Sequence, residues 1–389
     1  MKTIGVFFGG KSPEHDISII TGELIISGLK ESGHRVIPVY LDKEGKWFLG
    51  EKLGSIEFFR NPHKDFRGLG GFYLDLEHSR GKIVFQKKGL IPRKVIIDLA
   101  FPAFHGQNGE DGTVQGMFEI FNVPYVGCDV VSSAITIDKV LTKLFYERHG
   151  LSTTKFISFY GNDWKESREH VLENVKNNLR FPLFVKPARL GSSIGIARVE
   201  AADDLTRAIE VALHYDEKIL VEEGIRDVMD VTCAVLGTNP PTPSLLQESV
   251  FGGALFSYDD KYLKKGGVQL GKGEEGIVIP ARLDTETTEK IRSTAVSVFR
   301  LFGCSGIARV DFLYDKNSEK IYVNEVNTLP GTLYHHLWKK SGIELGELLS
   351  RLINLAEERN AKKKDIISTF DSSVLSQVAV SSKLQKKDG

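Results

Sequence analysis

The sequence predicts an α/β protein with some α+β elements, divided into three domains around a cleft, with a doubly wound sheet in the first domain. Three observations support this fold class. The chain has 389 residues and a mass of 43.3 kDa, more than one hydrophobic core usually accommodates. Its first third alternates strand-like and helix-like segments, which is typical of a doubly wound sheet. Its later apolar strands follow one another across short connections, which is typical of antiparallel hairpins.

The first predicted domain, residues 1–128, opens with a strand, a helix and a second strand, at 4–8, 16–29 and 35–41. An irregular segment over 42–94 leads to a buried-type strand at 95–104 and a glycine-rich stretch at 105–112. A helix follows, because its apolar residues recur at i, i+3, i+4 and i+7, namely Val114, Met117, Phe118 and Phe121. A strand at 123–127 is expected to close the domain.

The second predicted domain, residues 129–218, contains a glycine-rich loop between two strands, and the third, residues 219–358, consists mainly of paired strands. The expected strands of both domains lie at 154–159, 181–188, 195–200, 218–225, 228–237, 306–315 and 320–329. One helix is expected to carry Asp138 and Lys139, and three more are expected at 202–215, 285–302 and 344–359. Residues 359–389 turn polar and are expected to form a loosely ordered tail.

The composition indicates a globular protein without a dominant charge. Hydrophobic residues make up 41% of the chain and charged residues 26%, and Lys+Arg and Asp+Glu both number 51. No overall field therefore favours nucleic acid or an anionic membrane as a partner. The three cysteines lack CxxC spacing, and neither a signal peptide nor a run of about 18 apolar residues is found. We therefore expect a reduced, cytoplasmic protein.

The N-terminal segment matches the spacing of a phosphate-binding P-loop through Gly5, Gly10, Lys11 and Ser12. A P-loop needs a complete strand before its first glycine, but only four residues precede Gly5. The residues after Gly5 themselves read as the strand. We therefore interpret the glycines at 9 and 10 as an ordinary strand-to-helix turn at the edge of a sheet where α/β proteins bind ligands.

A second glycine-rich segment, KPARLGSSIG at 186–195, lies between two predicted strands. Glycines allow backbone N–H groups to approach a phosphate, serine hydroxyls add donors, and Lys186 adds a positive charge at the end of the first strand. On its own, the segment fits an ordinary flexible hairpin as well as a phosphate-binding loop.

The third domain carries the most informative pattern. Arg309 and Asp311 share one face of a strand, and Glu325 and Asn327 share one face of the next, because side chains alternate along a strand. A short DKNSE turn predicts an antiparallel hairpin that brings the two faces together. The oxygen atoms of these side chains are the ligands that Mg²⁺ prefers. Flanking apolar residues predict that the strands are buried, and buried carboxylates need a cationic partner.

Taken in order, these segments resemble the ATP-grasp superfamily and, within it, the D-alanine:D-alanine ligase family, over residues 1–358. The matching motifs are SPEHDIS at 12–18, HGQNGEDGTVQG at 105–116, Asp138 with Lys139, KPARLGSSIG, VEEG at 221–224, YDDKY at 258–262, ARVDF and NEVNTLPG. The resemblance implies an ATP-dependent, ADP-forming ligase for peptidoglycan precursor synthesis, with ATP between the central and C-terminal domains. It also implies a homodimer and two Mg²⁺ ions, for which Mn²⁺ is an alternative.

The resemblance also implies roles for individual residues. The ATP-binding set would be Lys139, Lys186, Ser193, Glu222, Glu223, Asp230 and Lys261. The Mg²⁺ ligands would be Asp311, Glu325 and Asn327. The catalytic set would be Glu14, Ser192, Tyr262, Arg309 and Gly331, and the substrate-binding set would be Glu14, His105, His336 and Leu337. The segment 251–276, which contains Lys261 and Tyr262, would be a mobile lid.

Two departures from the family pattern concern substrates. One inserted residue after VEEG makes Asp230 stand where the family has a glutamate for the ribose hydroxyls. The segment TLYHHLWKKSG after NTLPG is shortened, so that His336 and Leu337 stand where the family places residues around the second substrate. Besides ligation of two D-alanine molecules, the altered segment leaves open a related ligase that joins D-alanine to D-lactate, D-serine or another amino acid. The P-loop spacing at Gly5 to Ser12 leaves open a nucleotide-binding protein without ligase chemistry.

Overall fold

The computed structural model describes residues 2–89, 93–250 and 276–377. The N-terminal region contains a four-stranded sheet of order β3-β2-β1-β7 and a three-stranded sheet of order β4-β5-β6. Its elements are β1 (Thr3–Gly9), α1 (His15–Glu31), β2 (Arg35–Leu41), β3 (Trp47–Leu49), a 3-10 turn (Glu51–Gly54), α2 (Ile56–Arg60), β4 (Phe72–Leu74), β5 (Ile83–Lys87), β6 (Arg93–Ile97), β7 (Leu99–Pro102), α3 (Thr113–Ile120) and α4 (Val130–Thr136). Strand β1 runs parallel to β2 and β7 and is buried throughout, as expected of a central strand in an α/β sheet.

Two strand predictions in this region were wrong. The segment 95–104 is not one strand, because the chain passes from one sheet to the other at Asp98, whose carboxylate accepts a hydrogen bond from the backbone N–H of Thr3. The segment 123–127 forms only a single bridge, between Ala100 and Tyr125. The carbonyl groups of Tyr125 and Gly127 instead accept hydrogen bonds from the guanidinium group of Arg359.

The central region is an antiparallel sheet of order β10-β9-β11-β8 with helices packed against it. Its elements are α5 (Lys139–Arg148), β8 (Phe156–Tyr160), α6 (Gly161–Glu166), α7 (Arg168–Asn178), β9 (Leu183–Pro187), β10 (Ala197–Val199), a 3-10 turn (Ala202–Asp204), α8 (Leu205–Leu213) and β11 (Lys218–Glu223). Strand β11 was expected to open the third domain. It instead pairs with β8 and β9, because its apolar side chains complete the core of the central sheet.

The C-terminal region is a second antiparallel sheet, of order β14-β13-β12-β15-β16. Its elements are β12 (Val228–Gly237), β13 (Thr242–Ser249), β14 (Ile277–Val278), α9 (Thr285–Leu301), β15 (Gly306–Asp315), β16 (Lys320–Asn327), a 3-10 turn (Gly331–Tyr334), α10 (His335–Lys340), α11 (Leu345–Lys364) and α12 (Val374–Gln377). Strand β13 and helix α10 were not predicted. The predicted hairpin of β15 and β16 is present.

The N-terminal and C-terminal regions share one hydrophobic core. Helix α11 packs against α1, and a Cβ atom on Gly28 of α1 would lie 2.7 Å from the Cδ1 atom of Leu349. The lack of a side chain at Gly28 thus permits the close approach of the two helices. The first half of α1 is held to the C-terminal region as well, because the hydroxyl of Thr21 accepts a hydrogen bond from the backbone N–H of Thr332. In the part of the chain that the structure describes, no helix is both long and apolar enough to cross a membrane.

Candidate active site

Two adjoining cavities lie where the three regions meet. The larger, of about 340 Å³, lies between the central and C-terminal sheets, and the smaller, of about 40 Å³, lies next to the start of α1. Their shared wall consists of Lys139, Gly191, Ser192, Arg309 and Glu325. Cationic groups therefore stand at the boundary between a nucleotide-sized space and a much smaller one.

Lys139 owes its position to the first turn of α5. Asp138 caps this helix by accepting hydrogen bonds from the backbone N–H groups of Val140 and Leu141, and it also binds the Nζ atom of Lys218 at 2.8 Å. The cap directs Lys139 into both cavities, where its Nζ atom donates to the carbonyl of Leu190 at 2.8 Å. Asp138 thus holds Lys139 in place through the helix that it caps.

A buried charge cluster forms the inner wall of the larger cavity. Glu222 on β11 contacts Lys186 of β9 through Oε1 and Lys143 of α5 through Oε2, the latter at 2.6 Å. The hydroxyl of Thr154 donates to the same Oε2 atom at 2.7 Å. Burial by itself raises the pKa of Glu222, but the charges of Lys143 and Lys186 outweigh it and hold this pKa well below its usual range. The carboxylate is therefore ionised.

The glycine-rich loop between β9 and β10 connects the two cavities. Ser192 and Ser193 have φ angles of 53° and 59°, in the left-handed region that few residues other than glycine adopt. This conformation lets the hydroxyl of Ser192 donate to Oε1 of Glu14. Gly191 fits against the same carboxylate, since a Cβ atom there would lie 3.0 Å from Oε2. The loop thus touches the N-terminal region and lines the larger cavity.

The predicted hairpin of β15 and β16 brings the two faces together: Arg309 is opposite Asn327 and Asp311 is opposite Glu325, after a shift in register between Asp311 and Phe312. Arg309 binds Asp311 in a bidentate manner, with N···O distances of 2.6–2.9 Å, and lies 3.5 Å from Glu325. Burial and then the charge of Glu325 raise the pKa of Asp311, against the effect of Arg309. Thr232 of the neighbouring strand β12 also donates to Asp311, at 2.8 Å.

The same hairpin has the donor chemistry of a Mg²⁺ site. Two carboxylates and one amide face each other across it, and their mutual repulsion would be relieved by a divalent cation. Among residues 2–89, 93–250 and 276–377, no group of three or more His, Cys, Asp or Glu side chains forms a metal cluster. The fit to Mg²⁺ therefore depends on the amide of Asn327 as the third protein ligand.

The smaller cavity is polar and joins distant parts of the chain. It is lined by Glu14 and His105 from the N-terminal region, and by Arg309, Asn327 and Gly331 from the C-terminal region. The Nε2 atom of His105 lies 2.8 Å from the hydroxyl of Thr21, which accepts a hydrogen bond from the backbone N–H of Thr332. This chain of hydrogen bonds ties the histidine to the turn that follows Gly331.

Most of the predicted site residues lie together, but not all of them. The six described residues of the predicted ATP-binding set line the larger cavity: Lys139, Lys186, Ser193, Glu222, Glu223 and Asp230. Lys261 and Tyr262, with nearly all of the proposed lid, lie outside the described residues.

Two of the residues predicted to bind substrate lie away from both cavities. His336 and Leu337 line neither cavity. Leu337 is completely buried in the core that joins the N- and C-terminal regions, and His336 binds Gln247 at 2.7 Å. Three consecutive residues that precede this pair, Thr332 to Tyr334, have positive φ angles, and Tyr334 at the end of this tight turn lines the larger cavity.

The P-loop interpretation is excluded by the structure. Gly5 lies within β1, where a Cβ atom would clash with Ile97 at 2.7 Å, and Lys11 is exposed and lines neither cavity. Sequence reasoning, in turn, missed Lys143 and Thr232. The i, i+4 spacing from Lys139 on a helix could have indicated Lys143. Thr232 carried no local signal, because its contact with Asp311 depends on the pairing of β12 with β15.

Two antiparallel sheets of this chain hold a nucleotide-sized cavity between them, with lysines on one side and a carboxylate hairpin on the other. This arrangement defines the class of ATP-grasp enzymes. Family comparisons make this more specific. The family models described as "D-ala D-ala ligase N-terminus" and "D-ala D-ala ligase C-terminus" match residues 3–128 and 145–354. The chain belongs to the D-alanine–D-alanine ligase family.

Individual relatives agree with this assignment. The D-alanine–D-alanine ligase of Thermosipho melanesiensis is 40% identical over 377 residues, which cover 96% of this chain and 98% of that protein. The solved D-alanine-D-alanine ligase of Coxiella burnetii has a TM-score of 0.79 and 29% identity, and covers 97% of this chain and 99% of its own. The VanG D-Ala:D-Ser ligase of Enterococcus faecalis has a TM-score of 0.76 and 33% identity, with 91% and 99% covered.

Proposed function

We propose that this chain is an ATP-dependent, ADP-forming ligase that joins two D-alanine molecules into D-alanyl-D-alanine through a D-alanyl-phosphate, for peptidoglycan precursor synthesis. One observation carries the proposal beyond family membership: the nucleotide-sized cavity and the small polar cavity share a wall that contains Lys139 and Arg309. A phosphoryl group that crosses this wall would pass from ATP to an amino acid between two cations, which is the arrangement that acyl-phosphate formation needs.

The larger cavity would hold ATP. Lys139 and Lys186 would bind its phosphates, together with Ser193 of the glycine-rich loop. Glu222 and Glu223 lie on the inner wall, where they would contact the adenine ring, and Asp230 on β12 would bind the ribose hydroxyls. Lys261 would reach the γ-phosphate.

The carboxylate hairpin would hold two Mg²⁺ ions through Asp311, Glu325 and Asn327, and Mn²⁺ would be a substitute of similar chemistry. When bound, the ions would neutralise charge on the phosphates of ATP. The contact between Arg309 and Asp311 orients the arginine along the strand. Arg309 would thus stabilise the negative charge on the group that is transferred.

The smaller cavity would hold the first D-alanine. Glu14 would bind its ammonium group, held in place by Ser192 and, by family resemblance, Tyr262. His105 would lie near its carboxylate. The carboxylate would attack the γ-phosphate of ATP, releasing ADP, and the amine of the second D-alanine would then displace phosphate from the acyl-phosphate. Arg309 and the backbone N–H of Gly331, which line the same cavity, would meet the developing oxyanion.

A second candidate function concerns only the second substrate. The structural similarity to the VanG D-Ala:D-Ser ligase, at 33% identity, supports a ligase that joins D-alanine to D-serine. D-lactate and other amino acids are further alternatives, since His336 and Leu337 line neither cavity and the residues around the second substrate are therefore not assigned.

The decisive experiment is a substrate panel with product identification. Purified protein with Mg²⁺ and ATP receives D-alanine alone, or with D-serine or D-lactate, and phosphate release is compared with products identified by mass spectrometry. We expect one phosphate per D-alanyl-D-alanine. Turnover with another pair but not with D-alanine would contradict the proposal. A Glu14→Gln variant tests the first site, and Lys11→Ala is the matched control. By resemblance we also propose a cytoplasmic homodimer, which sedimentation would test.

A further inference from the structure

We propose that Lys143 is a positioning residue for the nucleotide: it holds the carboxylate of Glu222 in place while Lys186 leaves that carboxylate to bind phosphate. This inference rests on the proposed nucleotide site and concerns a residue that lines neither cavity. The side chain of Lys143 is 1% exposed, whereas that of Lys186 is 12% exposed and lines the larger cavity. The two lysines therefore have different access to a bound nucleotide.

The contacts of Lys143 match those of a fixed ammonium group. Its Nζ atom lies 2.7 Å from the hydroxyl of Thr153, 2.8 Å from that of Thr154 and 2.6 Å from Oε2 of Glu222. Thr154 donates its own hydrogen to Glu222, so it can only accept from Lys143. The three donors of this ammonium group therefore have three acceptors, and all three acceptors belong to the protein. Nucleotide binding leaves these contacts intact.

The two oxygen atoms of Glu222 are used differently. Oε2 contacts the ammonium group of Lys143 and accepts a hydrogen bond from Thr154, whereas Oε1 contacts Lys186. One carboxylate also cannot neutralise two ammonium groups, so the cluster carries a net positive charge that a polyphosphate in the cavity would balance. When Lys186 turns to the phosphates, Oε1 becomes available to accept a hydrogen bond from the amino group of adenine. Lys143 then remains as the cation that keeps the carboxylate charged and oriented.

The test compares ATP with inosine triphosphate, which has a carbonyl in place of the amino group. Affinities are measured by calorimetry without turnover, so that a failure of the ligase proposal would not obscure the result. The variant is Lys143→Met. The control is Arg148→Met, which removes an exposed cation from the same helix. We expect Lys143→Met to weaken ATP binding roughly 10- to 100-fold, with a smaller effect on inosine triphosphate. Turnover at saturating ATP should change less than the affinity, and Lys143→Arg should restore most of the ATP preference.

Two further measurements keep the test conclusive. In a Glu222→Gln background, Lys143→Met should cause little further loss of ATP affinity, because the carboxylate charge that Lys143 holds is already absent. If Lys143→Met does not fold, Thr154→Val, which removes a hydrogen bond from the same oxygen atom, should lower the ATP preference in the same direction. The proposal is overturned if a folded Lys143→Met variant keeps the ATP affinity and preference of the parent protein. It is also overturned if both nucleotides lose affinity by the same factor, since that result indicates a general structural effect.

Discussion

Replacing Gly106 by alanine should damage the proposed first-substrate site by moving the carboxylate of Glu14. Gly106 has a φ angle of 71°, and a Cβ atom there would lie 2.6 Å from Oγ of Ser12 and 2.8 Å from Oε2 of Glu14. Ordinary van der Waals contact begins at 3.4 Å, so the carboxylate must retreat by about 0.6 Å. Since misplacement of about 1 Å can reduce rates about 100-fold, we expect kcat/KM for D-alanine to fall roughly 10- to 100-fold.

The matched control is Gly33→Ala. Gly33 has a φ angle of 80° and nothing within 4 Å of the added methyl group, so this variant shares the backbone strain, about 1 kcal/mol, without the contact at Glu14. In urea unfolding, Gly106→Ala should lose at least as much stability as Gly33→Ala, because it adds the close contacts to the shared backbone strain. Only Gly106→Ala should lose activity in a phosphate-release assay, with the KM for ATP little changed. Equal kcat/KM values for the two variants would refute the role assigned to Glu14.

Three further variants test other parts of the site. Arg309→Ala should lower kcat roughly 10²- to 10³-fold while changing ATP affinity much less, and equal losses in kinetics and calorimetry would contradict the oxyanion role. Lys186→Ala should weaken ATP binding in the same calorimetric assay, whereas Lys11→Ala should not, and the reverse result would contradict the placement of ATP in the larger cavity. Burial, and then the charge of His335, lowers the pKa of His336 to about 4. The unfolded chain therefore binds one more proton than the folded chain below about pH 6.5. The free energy of unfolding, measured in urea, should fall by up to about 2 kcal/mol between pH 7 and pH 5. The variant His336→Gln should show a smaller fall. An unchanged pH dependence in that variant would show that other groups control the acid sensitivity.

Local patterns predicted the parts of the site that lie within one element or one hairpin. Alternation along a strand and a short turn predicted the hairpin of β15 and β16, and the structure confirms that hairpin. The register shift between Asp311 and Phe312 that sets Asp311 opposite Glu325 was not predicted, because an irregularity in strand pairing leaves no local pattern. The same reasoning failed at residues 95–104, because an apolar run does not reveal that the chain changes sheets at Asp98. It also assigned Lys218–Glu223 to the wrong neighbour, since a buried strand fits either sheet by composition alone.

The sequence by itself determined the fold class, the family and most of the charged groups of the site, because periodicity and motif order are properties of the chain. The tertiary structure alone decided which of those groups meet. Ser192 reaches Glu14 across 178 residues, and Thr232 reaches Asp311 across 79. It also surrounded Glu222 with two lysines and moved Leu337 into the core. Such contacts depend on how sheets and helices pack against one another, and no local pattern records that packing.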